Sequence, residues 1–249
     1  MSIAEKLTTI AENEQRVFDA GKTAEWSDIW DGIQNVENGI AVWYNFFCSR
    51  NRFIVDNGTE QKWVFKPKHD IKPTNSESMF RELNFKRSEG SILYPNLKVD
   101  LSQWLKDLGV TLDLSNCGNI ANMFYGAYLF TRLPRLDLSA CTTMNYVFHY
   151  NNIKVIDEII SSETTNWLDT TFGGSFPLEH CIFKGVIAKP FNLSRQSKLD
   201  HESLLSVLNC LKDFSGTTTK YTMTFGTTNL AKLTDAEKAI ATQKGWTLT

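Results

Sequence analysis

The run Leu112-Asp113-Leu114-Ser115-Asn116-Cys117 returns 24 residues later as Leu136-Asp137-Leu138-Ser139-Ala140-Cys141. Phe124, Phe148 and Phe172 fall at the same interval, as do Ile120, Met144 and Leu168. A period of this length marks a chain built of stacked units. One such unit cannot bury its apolar face alone, so its leucines become core only when the next unit lies against them. The expected fold is therefore an α/β (α+β) solenoid of irregular, leucine-rich units of about 24 residues, with a helix at its start and a helix-strand cap at its end. A chain of that shape carries its function on an extended surface, which favours recognition over catalysis.

A length of 249 residues with 42% hydrophobic content supplies a sizeable core. The 26 basic and 28 acidic residues are interspersed, for a net charge of -2, so the electrostatic footprint of a nucleic-acid binder is missing. Seven Trp and runs such as Trp43-Tyr44-Asn45-Phe46-Phe47 exceed what a minimal core needs; these rings either fill the interior or face a partner. The cysteines, Cys48, Cys117, Cys141, Cys181 and Cys210, are odd in number and widely spaced, with no Cys-x-x-Cys pair. They are expected as reduced, buried small hydrophobes. Cys117 and Cys141 would share an internal column, where they pack or bridge. Met1 to Lys6 lead into a polar helical pattern rather than an apolar run, so a secretory signal peptide is not expected. No segment approaches the ~20 apolar residues of a membrane span, so membrane insertion is not expected either. Action outside the cell would then require release by lysis or a similar route.

Ile3, Leu7, Ile10 and Val17 form a short heptad-like seam, broken by Glu14, that predicts a helix packed on its own domain or associating with copies of itself. Trp26, Ile29, Trp30 and Ile33 continue at helical spacing until Gly32 and Asn35-Val36-Glu37-Asn38-Gly39 break the pattern. These boundaries divide the chain into a helical attachment segment (1–34), a repeat domain (35–215) with an insertion near 86–109, and a carboxy-terminal cap (216–249). Ser78-Met79-Phe80 echoes the later phenylalanines; the 44 residues from Phe80 to Phe124 are one 24-residue period plus 20. Asp100 to Leu108, closed by Gly109, predicts a capped helix that leads into a strand from Val110 to Leu114. In that strand Leu112 and Leu114 share one face and Asp113 the other. Leu136 and Leu138 inward with Arg135 and Asp137 outward repeat the arrangement, so Asp113 and Asp137 are expected on one solvated strip that Arg135 neutralises. Further along, Ile182, Phe183, Val186 and Ile187 suggest a strand, and Phe191-Asn192-Leu193-Ser194 repeats the motif imperfectly. A helix over Asp200 to Lys212, a strand over Tyr221 to Phe225 and a helix over Thr234 to Gln243 complete the chain. The last of these opens on a capping-box spacing and ends at Gly245.

Catalytic signals are weak throughout. His69, His149, His180 and His201 make no close pair with metal spacing, so neither a metal nor a cofactor is expected. His180 and Cys181, adjacent in a strand, point to opposite faces and cannot act as base and nucleophile. Gly173-Gly174-Ser175 lacks the spacing of a phosphate loop and predicts a turn. Asp157, Glu158 and Asp169 supply carboxylates, yet nothing in the pattern selects two of them across a cleft. The expected protein is not an enzyme.

The unit Asn122-Met123-Phe124 to Leu133-Pro134-Arg135-Leu136-Asp137-Leu138-Ser139, with the tail Leu233-Thr234-Asp235-Ala236-Glu237 to Lys244-Gly245-Trp246-Thr247-Leu248, resembles the BspA-like leucine-rich repeats of bacterial surface proteins. The opening Ile3-Ala4-Glu5-Lys6-Leu7-Thr8-Thr9-Ile10-Ala11-Glu12-Asn13, running on through Val17-Phe18-Asp19-Ala20-Gly21-Lys22, is similar to minor structural and tail proteins of phages and prophages of gut Firmicutes. The resemblance implies a virion protein made in the bacterial cytoplasm and mounted on the phage tail through residues 1–34. There it would contact phage structural proteins, form a homo-oligomer, and bind a bacterial cell-surface protein or glycan. Outward residues in register form the candidate contact set: Asp113, Tyr125, Tyr128, Arg135, Asp137, His149 and Tyr150, chosen because aromatic and arginine side chains anchor interfaces. Two rivals are a hydrolase of cell-wall glycan or protein that uses the repeats as a grip, and an intracellular bacterial scaffold. A deep pocket enclosing two carboxylates would favour the hydrolase.

Overall fold

The computed structural model describes residues 54–56, 61–63, 70–83, 85–86, 91–92, 98–174 and 177–249. The expected helix within 1–34, the Trp43 to Phe47 run, Cys48, His69 and Ser175 lie outside them. In chain order the strands are β1 (Ile54–Asp56), β2 (Gln61–Trp63), β3 (Phe85–Lys86), β4 (Ser91–Ile92), β5 (Val99–Asp100), β6 (Phe130–Leu133), β7 (Leu136–Asp137), β8 (Val155–Ser161), β9 (His180–Gly185), β10 (Tyr221–Met223) and β11 (Trp246–Leu248). The helices are α1 (Leu101–Leu108), α2 (His201–Cys210), α3 (Thr227–Leu230) and α4 (Asp235–Gln243). None of them is long and apolar enough to cross a membrane.

The centre of the molecule is a five-stranded parallel sheet. β8 is its spine. One edge of β8 pairs first with β6, Leu133 opposite Ile156, and then with β7, Leu136 opposite Ile159. Pro134 lacks a backbone N–H, which separates β6 from β7 along that edge. β9 runs along the other edge of β8, and β5 lies outside β6. Register shifts at Val99/Asp100 and at Ile156/Glu158 bend the strands, and the sheet curls into a half-barrel.

This architecture corrects the expected solenoid of regular leucine-rich repeats: the chain folds as an α/β half-barrel whose strands run from two to seven residues. The reason lies in the motif that suggested repetition. Asp113 accepts a hydrogen bond from the Ser115 N–H at 3.0 Å, and Asp137 accepts from the Ser139 N–H at 3.1 Å and from its hydroxyl at 2.6 Å. Such side-chain turns compete with strand pairing. The expected strand Val110 to Leu114 is therefore reduced to a bridge between Leu112 and Ile71, and β7 stops at Asp137. Leu-Asp-Leu-Ser ends a strand rather than forming one. Asn192, bonded in the same way to the N–H and hydroxyl of Ser194, follows the rule.

The 24-residue interval survives locally in a ladder of stacked turns. Phe80 donates its N–H to the Met123 carbonyl, Phe124 to that of Val147, and Phe148 to that of Thr171. These bonds bring the rings into one buried column, with centroids 5.4 Å apart from Phe80 to Phe124, 5.9 Å on to Phe148, 5.1 Å to Phe172 and 5.5 Å to Phe191. Phe130, Trp167 and Phe183 pack around the column. Beside it Cys141 donates its thiol to the Cys117 carbonyl at 2.9 Å, and both thiols are free. Burial pushes both thiols up from their ordinary range, so they stay protonated and inert.

Helix ends follow the local chemistry. Asp100 caps α1 and Asp200 caps α2, each accepting from an N–H of the first turn. Gly109 closes α1 with φ 69, a conformation that a Cβ penalises. Thr234 and Glu237 form a reciprocal capping box on α4. β10 and β11 pair in parallel beyond the half-barrel, tied to it by the Trp246 indole donating to the Lys212 carbonyl at 2.8 Å and by Asn229 donating to the carbonyls of Leu193 and Gln196.

Candidate functional site

The expected contact residues fall into two groups. Asp113, Arg135 and Asp137 line an open depression of about 350 Å³ together with Thr111, Leu112 and Ser115. Its charges are already committed. Asp113 holds its serine turn, which keeps its carboxyl below the usual range through the Ser115 hydroxyl and N–H. Arg135 lies 3.4 Å from Asp137 and 3.1 Å from Glu158, and Lys184 reaches the other oxygen of Glu158 at 2.5 Å. Next to them Arg132 meets Asp157 at 2.6 Å, and Ser102 donates to the same carboxylate. Exposed pairs of this kind contribute about 0 to 1 kcal/mol each. The arrangement neutralises the outer face of the sheet and ends its strands. Among the described residues no group of three His, Cys, Asp or Glu side chains is placed to hold a metal.

The second group is an aromatic cluster on the stacked turns. In the turn from Asn122 to Gly126 and in the next from Tyr146 to Tyr150, the two middle residues point inward: Met123 and Phe124, then Val147 and Phe148. The first and fourth positions are at least partly exposed; at the fifth, Tyr150 is exposed whereas Gly126 is buried against Glu82. First and fifth positions are left-handed, with φ 56 at Asn122, 64 at Gly126, 55 at Tyr146 and 50 at Tyr150. Asparagine and glycine are the residues that tolerate this backbone. The second turn carries tyrosines there instead, at a cost of roughly 1 to 2 kcal/mol each.

Those tyrosines enclose His149. Its ring stacks on Tyr150 at 4.1 Å and 14° and on Tyr146 at 5.3 Å and 16°. Tyr125 meets His149 edge-on at 5.6 Å and Tyr150 edge-on at 6.1 Å, and the Arg81 guanidinium lies 5.1 Å over the Tyr125 ring. The third turn has Gly173 and Gly174 where the second has His149 and Tyr150. A Cβ on Gly174 would come within 2.9 Å of the imidazole, so this bare backbone makes room for the ring. Both imidazole nitrogens are buried with no hydrogen-bond partner among the described residues. Burial, helped by the positive charge of Arg195, pulls the His149 pKa down and keeps the ring neutral. Tyr128 completes the group; burial, with Tyr125 and Tyr150 nearby, raises its hydroxyl pKa. Tyr146 is 43% exposed and Tyr150 50%, the large hydrophobics most open to solvent among the described residues.

The fold thus gathers four of the seven expected residues, Tyr125, Tyr128, His149 and Tyr150, into one surface cluster, and sets Asp113, Arg135 and Asp137 in strand-ending and charge-neutralising roles. Sequence reading missed Tyr146, Arg81 and Arg195. Tyr146 carried a signal, because it stands 24 residues after Asn122. Arg81 carried one as well, since it follows Phe80 as Tyr125 follows Phe124 and His149 follows Phe148; Arg195 carried none. His180 and Cys181 face apart as expected, with His180 bonded to Asp200 at 2.6 Å and Cys181 buried. No protein-family model, curated protein or solved structure matches the chain. What the site does must be argued from its own geometry.

Proposed function

We propose that the chain is a non-enzymatic binding protein, a phage tail-associated adhesin that recognises a bacterial surface through the Tyr146, His149 and Tyr150 platform, with Tyr125 and Tyr128 behind it. The observation that carries this reading is the pair of half-exposed tyrosines on left-handed backbone that asparagine and glycine occupy one turn earlier. Surrounding contacts hold this strained backbone in place, and about half of each ring is left in solvent. Flat aromatic faces exposed on a rigid ladder suit recognition. The similarity of Ile3 to Lys22 to phage tail proteins supports mounting through residues 1–34, with copies of the chain associating there.

The test uses labelled full-length protein on a panel of Gram-positive gut bacteria. Saturable binding to some strains, lost in Tyr150→Gly and in Tyr146→Asn, is the expected result. Equal binding by both variants would refute the platform as the recognition surface. Immunogold imaging of purified particles checks the mounting: label on tails supports it, and unlabelled particles from a lysate that contains the protein would sink it.

A further inference from the structure

The platform has a size, a chemistry and a charge, and together these narrow its ligand. A tyrosine side chain presents about 150 to 250 Å² when fully exposed. At 43% and 50% exposure, Tyr146 and Tyr150 together offer roughly 200 Å² of ring surface. A protein partner of ordinary affinity covers about 800 Å² on each side around an apolar centre. Among the described residues no other large hydrophobic is exposed to extend the patch. The area matches one or two sugar rings.

The chemistry agrees. The face of a tyrosine is electron-rich, and the axial C–H groups of a pyranose, polarised by their oxygens, are its complement. Neither the Tyr146 nor the Tyr150 hydroxyl is bonded to another described residue, which leaves both to meet sugar hydroxyls at the ring edges. The stack on His149 fixes the orientation of both rings before any ligand arrives, which lowers the entropy lost on binding.

The charge decides among sugars. Arg195 is exposed and has no ion pair among the described residues. It adjoins Gln196, whose side-chain amide donates to the Gly174 carbonyl at 3.2 Å, and Gly174 is the residue on which the His149 ring rests. Across the cluster Arg81 lies on Tyr125, next to the buried Glu82, which it contacts at 3.4 Å. Glu82 offsets the charge of Arg81, which leaves Arg195, unpaired among the described residues, as the guanidinium whose charge acts on His149. A cationic ligand would meet repulsion there, whereas a carboxylate or phosphate would meet the planar fork that suits it.

Building on the adhesin reading above, we infer that the Tyr146, His149 and Tyr150 platform takes an anionic saccharide, with a sugar ring on a tyrosine face and its carboxylate or phosphate on Arg195.

The test measures binding of the full chain to short hexuronate and sugar-phosphate oligomers by calorimetry, each beside the same oligomer after carboxyl reduction or phosphatase treatment. The expected result is binding of at least one acidic oligomer, weakened about tenfold by neutralisation of the sugar or by Arg195→Gln, and abolished by Tyr150→Gly. Arg195 is exposed, so its variant keeps the fold, and an unchanged thermal midpoint checks this. Equal affinity for acidic and neutral forms, indifference to Arg195→Gln, or no binding across the panel overturns the inference. Cells treated with periodate or with protease separate this outcome from the adhesin reading. Adhesion that survives periodate and is lost to protease means a protein receptor: the saccharide inference falls and the adhesin stands. Binding of acidic oligomers without adhesion to any cell does the reverse.

Discussion

Replacing Tyr150 by glycine and, separately, by alanine divides what this residue contributes to the backbone from what it contributes as a ring. Its φ of 50 places a Cβ in the left-handed region, at about 1 to 2 kcal/mol. Glycine escapes that cost but has more freedom to lose on folding, about 0.4 to 1 kcal/mol. At position 150 glycine should therefore be more stable than alanine by about 1 kcal/mol. Both variants lose the ring. Half of its surface is buried, roughly 100 Å², worth about 2.5 kcal/mol at ~25 cal/mol per Å². The stack on His149 adds about 0.5 to 1.5 kcal/mol. Tyr150→Ala is thus expected to cost about 3 to 4 kcal/mol and Tyr150→Gly about 2 to 3 kcal/mol. Tyr125, whose φ is not positive, supplies the control, because there alanine should exceed glycine by about 0.4 to 1 kcal/mol. Urea unfolding followed by circular dichroism reads the order: 1 kcal/mol corresponds to a midpoint difference of about 0.3 to 1 M for slopes of ~1 to 3 kcal/mol/M. Alanine equal to or better than glycine at 150 would show that the backbone carries no strain, and the argument that tyrosine is kept there for its surface would lose its footing.

Gly185→Ala places a Cβ on backbone with φ 80, inside contact distance of the Ser161 carbonyl oxygen across the β8 and β9 pair. Left-handed strain and overpacking together predict a loss of about 2 to 5 kcal/mol, and a thermal midpoint within a degree of the parent would refute the close approach. His149 predicts a pH effect of definite sign. Its folded pKa lies below the ordinary value of about 6.5, because burial and then Arg195 disfavour the charged ring. As pH falls through about 6.5 the unfolded chain takes up a proton that the folded chain refuses, so stability declines until the lower folded value is passed and then levels off. His149→Phe should remove that part of the slope, read as the difference in urea midpoints between variant and parent from pH 7.5 to pH 5. Parallel midpoints for the two proteins across that range would show that the ring titrates freely.

The apolar half of the architecture was legible because it depends on spacing alone. Phe124, Phe148 and Phe172 stack because turns 24 residues apart bond to one another, and the intervals in the sequence say as much. The curled sheet was not legible. β8, its spine, reads Val155-Ile156-Asp157-Glu158-Ile159-Ile160-Ser161, and two adjacent acids interrupt the alternation that identifies a strand. A register shift between Ile156 and Glu158 explains them, since it lets both carboxylates reach outward to Arg132, Arg135 and Lys184 while Ile156 and Ile159 stay buried. A bulge of this kind has no signature in residue order. The Leu-Asp-Leu-Ser motif misled for the opposite reason: its alternation is real, but its aspartate bonds the backbone two residues on and stops the strand that the leucines begin.

The site was half legible for a related reason. Residues chosen because they recur in register, Tyr125 with His149, do meet, at 5.6 Å. The residues that define the platform are the ones that break the register. Asn122 and Gly126 satisfy a left-handed turn in the ordinary way; Tyr146 and Tyr150, in the same positions of the next turn, do not. Within a repeating ladder, a position that matches its neighbours reports packing, because every turn must solve the same steric problem. Ser78 and Glu82, at the same positions of the Phe80 turn, are left-handed too, with φ 58 and 56, so what sets the Tyr146 to Tyr150 turn apart is the exposure of its rings. The Tyr146 and Tyr150 rings stand half exposed beside a neutral imidazole whose nitrogens meet no hydrogen-bonding partner among the described residues. The buried half of the Tyr150 ring stabilises the turn through its stack on His149, whereas the exposed half adds nothing to packing and is the surface that the proposed ligand would meet.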